Sequence, residues 1–181
     1  MKFLICSDIH GSAHFCKLLM DKIAQEKAEK VIILGDILYH GPRNDLPFGY
    51  APKEVILMLN ETKDKLLCVR GNCDAEVDAM VLDFPIMDDF KTISADNTTI
   101  FATHGHIYNE MTPPPLSTGD ILLCGHTHIP KHENFGSFTY LNPGSVSIPK
   151  ENSPHSYMTF DGKKFLWKNL ENGEVYMEYI L

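Results

Sequence analysis

Five short polar pieces, Ser7-Asp8-Ile9-His10, Gly35-Asp36, Gly71-Asn72-Cys73-Asp74, His104-Gly105-His106 and Gly125-His126-Thr127-His128, each stand just after a strongly apolar run. A fold that buries those runs must carry the polar groups to the ends of its strands. Carboxylate, imidazole and carboxamide groups are costly to place there for packing alone, and their number and type fit two cations.

The apolar runs themselves have a readable order. Lys2-Phe3-Leu4-Ile5-Cys6 has the length of a short buried strand, and Phe15, Leu18, Leu19, Met20 and Ile23 then recur at helical spacing. Val31-Ile32-Ile33-Leu34 predicts a second buried strand, followed by a Gly/Pro-rich loop and a helix opened by Pro52 with Val55, Ile56 and Leu59 on its apolar face. Leu66-Leu67-Cys68-Val69 repeats the pattern, so the first 80 or so residues alternate strand and helix as a parallel sheet requires. Beyond them the spacing predicts strands over 98–103, 120–124, 138–141, 157–160, 165–167 and 175–181. A mixed α/β layered fold follows, with two sheets face to face.

The length of 181 residues suits one domain, taken as residues 1–181, with a sizeable core. Hydrophobic residues at 44% and charged residues at 22% argue against disorder and against a coiled coil. No apolar stretch reaches the length of about 18 residues that a membrane span needs. Acidic Asp8 arrives too early for a secretory signal, so a cytoplasmic location is expected. The five cysteines are odd in number and form no CxxC pair, which predicts reduced thiols rather than a disulfide framework or a structural zinc site. A formal charge of −8 tells against a surface for long nucleic acid, while a small anionic substrate stays compatible with a cation-loaded site.

In an α/β fold the loops leaving the carboxyl ends of neighbouring strands share one crevice, so the five motifs can meet there. Asp8 and His10 are two residues apart, as are His126 and His128, and in a locally extended backbone each pair would point to one side. Two cations acting on one phosphate lie about 3.5–4 Å apart, which a shared carboxylate can enforce, and Asp36 is the candidate bridge. One metal would take Asp8, His10, Asp36 and His128, and the other Asp36, Asn72, His104 and His126. Nitrogen and oxygen ligands of this kind suit manganese, iron, zinc, nickel or cobalt.

Asp-x-His, Gly-Asp, Gly-Asn-x-Asp, His-Gly-His and Gly-His-Thr-His, in this order over residues 3 to about 148, resemble the calcineurin-like metallophosphoesterase superfamily. Gly71-Asn72-Cys73-Asp74 and Asn142-Pro143-Gly144-Ser145 resemble its YfcE-type small bacterial phosphodiesterases. The resemblance implies a four-layer α-β-β-α sandwich with two mixed sheets, a dinuclear centre with a preference for Mn2+, and hydrolysis of small phosphodiesters by a metal-bridging hydroxide. It also leaves room for a homo-oligomer. Asn72, Cys73 and His104 would then face substrate as well.

Cys73 stands where many members carry a histidine proposed to protonate the leaving group. General acid catalysis is worth about 10²–10⁴-fold, so esters of acidic alcohols such as phenols should lose least. The bland expectation for Cys73 is an inert small side chain that leaves space. Asp74 is expected to orient a ligand or cap a helix, His106 to steady its loop or touch substrate, and Arg43 to be solvated or to steer phosphate. Residues 40–52 and 106–119 are expected to shape the pocket. Competing functions are a non-catalytic scaffold like the retromer subunit of similar fold, a phosphomonoesterase, or a nuclease on the same metals.

Overall fold

The computed structural model describes residues 2–95 and 98–181. Three of the predicted apolar runs become the parallel strands β1 (Phe3–Cys6), β2 (Lys30–Ile33) and β3 (Leu66–Cys68). Helix α1 (Ala13–Gln25) joins the first two. Its start is set by Ser12, whose hydroxyl accepts the N–H of Phe15. Phe15, Cys16, Leu19 and Ile23 form its buried stripe. Helix α2 (Pro52–Glu61) opens on its proline and buries Val55 and Leu59.

The later strands are β4 (Phe90–Ala95), β5 (Thr98–Thr103), β6 (Asp120–Leu123), β7 (Pro130–Asn134), β8 (Phe138–Pro143), β9 (Ser156–Phe160), β10 (Lys164–Asn169) and β11 (Val175–Ile180). The first sheet has the order β11-β10-β9-β1-β2-β3 and the second β4-β5-β6-β8-β7. Each is mixed: β1, β2 and β3 run parallel in one, β5, β6 and β8 in the other, with antiparallel strands at the flanks.

Alternation along the strands sorts the core into layers. Ile5, Ile32 and Leu34 of the first sheet meet Ile100, Ala102, Ile121, Leu123 and Leu141 of the second, which is the face-to-face packing expected. Leu4, Cys6, Val31, Ile33 and Cys68 point the other way, onto α1 and α2. The outer face of the second sheet, with Phe101, Leu122, Phe138 and Tyr140, is covered by Tyr108 and Leu116 from the β5–β6 connection. That connection contains Pro113-Pro114-Pro115, which supplies no backbone donors for a helix, so a loop forms this layer.

Strands β4 and β7 are not among those predicted: β4 alternates only weakly and β7 not at all. Both are edge strands, and β7 (Pro-Lys-His-Glu-Asn) has no apolar residue after its opening proline. Backbone pairing to β5 and β8 makes them strands; β4 adds Ile93 and Ala95 to the core between the sheets, whereas hydrophobic period plays no part in β7.

Candidate metal centre

The carboxyl ends of six parallel strands, three from each sheet, meet at one edge of the sandwich. There β1 delivers Asp8 and His10, β2 Asp36, β3 Asn72, β5 His104, and β6 His126 and His128. The loops are tied across one another: the Asp8 N–H donates to Gly35 C=O, His10 N–H to Asp36 C=O, and Gly125 N–H to His104 C=O.

The two-residue pairs work by a turn and not by the extended backbone the spacing predicts. Asp8 (φ 59°), His10 (φ 49°), Asp36 (φ 55°), His126 (φ 66°) and His128 (φ 62°) all occupy the left-handed region. They are five of the eight non-glycine residues with positive φ among those described, so this unfavourable conformation is concentrated at the site. Each costs on the order of 1–2 kcal/mol and persists only where its surroundings impose it.

Some of those constraints are visible. Ser145 and Ser147 both donate their hydroxyls to the Asp8 carbonyl at 3.0 Å. The Asp74 carboxylate accepts the N–H groups of Asp36, Ile37 and Gly71 at 2.7–2.9 Å. Asn142 donates to Gly125 C=O at 2.7 Å and to the Thr127 hydroxyl at 3.1 Å, holding the loop that carries His126 and His128. Gly71 and Gly125 permit the close approach: a Cβ on Gly71 would collide with the Asp36 carboxylate, and one on Gly125 with Ser7.

Three imidazoles have their tautomer set by backbone carbonyls. Nδ1 of His10 lies 2.7 Å from Tyr39 C=O, that of His104 2.5 Å from Leu34 C=O, and that of His128 2.6 Å from Ile148 C=O. A carbonyl only accepts, so each Nδ1 carries the proton and each neutral ring presents a bare Nε2 to the site. The Nε2 atoms of His10 and His128 then face each other at 3.2 Å, and His104 Nε2 faces Asn72 Oδ1 at 3.0 Å and His126 Nδ1 at 3.2 Å. Asp36 Oδ2 stands between the two groups, 3.7 Å from His10 Nε2 and 3.5 Å from His104 Nε2. Asp8 Oδ1 is 3.2 Å from His128 Nε2, is buried, and has no hydrogen-bond partner. Lone pairs aimed at lone pairs, together with an orphaned buried carboxylate oxygen, leave a bound cation as the natural complement. The nitrogen and oxygen donors present fit divalent ions.

With no cation present, the same carboxylates and imidazoles hold protons between them. Burial opposes the charge on Asp8, yet His10 and His128 hold its carboxyl well below the usual range. Asp36 is lowered in the same way, against burial, by His104. His104 itself is drawn down by burial but lifted to about 9 by Asp36 and Asp8. The Cys73 thiol is pushed up to about 12 by burial and by Asp36, so at neutral pH it is a protonated, small side chain.

A cleft of about 460 Å³ opens onto the site and is lined by Asp36, Asn72, Cys73, His126 and His128 together with Arg43 and Lys150. The loop at 40–52 shapes it, as expected, through Gly41, Pro42, Arg43 and Asn44. The loop at 106–119, expected to shape the pocket, contributes no residue to the cleft lining: Tyr108 and Leu116 are drawn instead to the apolar outer face of the second sheet. His106 packs its ring 5.3 Å from that of His104, with Nδ1 buried and unpaired. Asp74 ties backbone to backbone and caps no helix. Ser145, Ser147 and Asn142 act on the site through Asp8 and the His126 loop, a role that the turn-like Asn-Pro-Gly-Ser sequence does not disclose.

A sequence model of the calcineurin-like phosphoesterase superfamily domain matches residues 1–164. Phosphodiesterase YfcE of Escherichia coli strain K12 is 47% identical over 161 residues, 89% of this chain and 88% of that protein. A solved structure of YfcE, described as a phosphoesterase, superposes with a TM-score of 0.96 at 42% identity over 99% of both chains. Zinc-bound Vps29 from Entamoeba histolytica superposes at 0.61 with 18% identity over 99% of both chains, a likeness of fold alone.

Proposed function

This chain belongs to the calcineurin-like phosphoesterase superfamily, and on that premise we propose that it is a phosphodiesterase, one domain over 1–181, which hydrolyses small diesters with two divalent cations, Mn2+ first among them. The observation that carries the reading is the set of bare imidazole nitrogens and carboxylate oxygens facing one another with Asp36 between them. Asp8, His10, Asp36 and His128 would hold one cation, and Asp36, Asn72, His104 and His126 the other. When bound, such a pair supplies Lewis acidity toward the phosphoryl oxygens and a water made nucleophilic at neutral pH.

The chain's own groups do the rest. The carbonyls of Tyr39, Leu34 and Ile148 keep three imidazoles in the tautomer that leaves Nε2 free. Asn72 and Cys73 line the cleft and would face the phosphate, with fully buried His104 behind Asn72 rather than beside them, and Asn72 can turn its amide N–H toward a phosphoryl oxygen. Arg43 and Lys150 in the cleft lining attract an anionic ester without the extended basic surface that long nucleic acid needs. The Cys73 thiol, pushed up to about 12, is a poor substitute for a protonating histidine at this position, which favours leaving groups that depart unprotonated. The scaffold alternative has fold likeness behind it, whereas the assembled ligand set favours catalysis.

Among the described residues no helix is long and apolar enough to cross a membrane. The five free cysteines, four of them buried, support a reducing, cytoplasmic location, and exposed Leu57 and Met80 offer apolar surface for self-association into a homo-oligomer. The deciding assay is turnover of a panel of aryl and alkyl diesters and monoesters by the manganese-loaded protein, with chelator as control. Metal-dependent diester turnover supports the reading, and a fully loaded sample inert on every ester ends it.

A further inference from the structure

A second cavity, of about 440 Å³, lies against the polar cleft and differs from it in chemistry. Tyr39, Tyr50, Ile56, Val77 and Val81 supply its walls, and charge enters only with Lys53 and Asp78. Cys73 lines both cavities, so the two adjoin at one small side chain. Tyr39 adds a rigid link: its carbonyl fixes His10, while its ring packs edge-on to His40 at 4.8 Å, and His40 in turn packs edge-on to Tyr50 at 5.3 Å. Yet Tyr39 is 43% exposed, Val77 63% and Val81 43%. Apolar side chains left open around a preformed concavity, one small residue away from a polar site, are the signature of a ligand subsite.

We propose that this pocket receives a ring-bearing apolar ester arm of the substrate while the phosphate sits in the polar cleft, with Cys73 kept small so that the arm can pass. The proposal rests on the phosphodiesterase reading above and narrows it to diesters with at least one aromatic or similarly flat apolar substituent. Edge and face contacts from Tyr39 and Tyr50 suit a ring, whereas a methyl or ethyl ester would leave the pocket wet.

The test uses the full chain loaded with diamagnetic zinc and ¹³C-labelled at its methyl groups, titrated with phenylphosphonate and with methylphosphonate. Phenylphosphonate is expected to shift the methyl resonances of Leu38, Ile56, Val77 and Val81, which methylphosphonate leaves in place, and to compete with diester turnover about tenfold more tightly. Val77→Glu, at a position 63% exposed, should cut that preference to within about twofold. Phenylphosphonate that competes with turnover but leaves these four resonances unmoved, or that competes no better than methylphosphonate, overturns the subsite while the phosphodiesterase reading stands. Absence of turnover on every ester removes that reading and the subsite with it.

Discussion

The carboxylate of Asp74 accepts the backbone N–H of Asp36 at 2.8 Å, and the same carboxylate takes the N–H groups of Ile37 and Gly71. One side chain on the loop after β3 thereby holds the left-handed turn after β2, which aims Asp36 between the two halves of the site. Asp74→Asn replaces an oxygen acceptor with an amide N–H that confronts buried N–H donors. It should cost about 1–3 kcal/mol of stability and weaken metal binding by roughly 10–100-fold. Urea unfolding of the ion-free protein and a metal titration measure the two effects separately. Stability lost with metal affinity intact would show that Asp36 is aimed by something else.

Metal affinity should rise with pH. In the ion-free protein burial lowers the pKa of His104, but Asp36 and Asp8 carry it up to about 9, and His10 is also raised against burial by Asp8. Below about 9 a cation must displace the His104 proton, so each proton displaced steepens affinity by about tenfold per pH unit, and the gain ends above that value. Calorimetric titrations at pH 6, 7 and 8 in buffers of different ionisation heat count the protons released. Affinity independent of pH over that range would contradict the assignment of His104 as a ligand.

Cys73→His should raise turnover of monoesters and of diesters with poor leaving groups relative to aryl diesters. A positioned imidazole can protonate a departing alkoxide, whereas the thiol, pushed up to about 12, cannot serve as an effective acid near neutrality. The relative gain on poor leaving groups is expected at about 10–100-fold, short of the full range for general acids because the site did not form around the new ring. Rates plotted against leaving-group pKa give the answer in a slope: a flatter line supports proton delivery from position 73, and an unchanged one denies it.

Away from the site, Glu26 sets part of the acid limit of folding. Burial raises its pKa, but Lys168, Lys2 and the Tyr157 hydroxyl bring it from 4.5 down to about 2. Lys168 and Lys2 approach it at 2.6 and 2.7 Å. A carboxylate lowered on folding adds stability that is complete above its unfolded value and is lost as pH falls through the folded one. The stability difference between the wild type and Glu26→Gln should therefore be largest at neutral pH and shrink between pH 4.5 and about 2. Denaturant midpoints at pH 7, 4 and 3 check the trend, and a constant difference would mean that the ion pairs contribute nothing.

The chain by itself declares the candidate donor groups, because Asp, His and Asn side chains follow apolar runs whose only economical location is inside a sheet. Those runs also disclose α1, α2 and the buried strands, since hydrophobic period and capping residues such as Ser12 and Pro52 are local properties. Tertiary structure had to decide whatever depends on a neighbour distant in sequence. Strands β4 and β7 exist because β5 and β8 offer them backbone partners. The left-handed turns at Asp8 and Asp36 exist because Ser145, Ser147 and Asp74 hold them. The apolar pocket beside Cys73 exists because α2 and the 75–81 segment meet the β2 loop. Hydrogen bonds and packing across a fold leave no periodic trace along the chain, which is why the donor groups can be read in one dimension and their aim only in three.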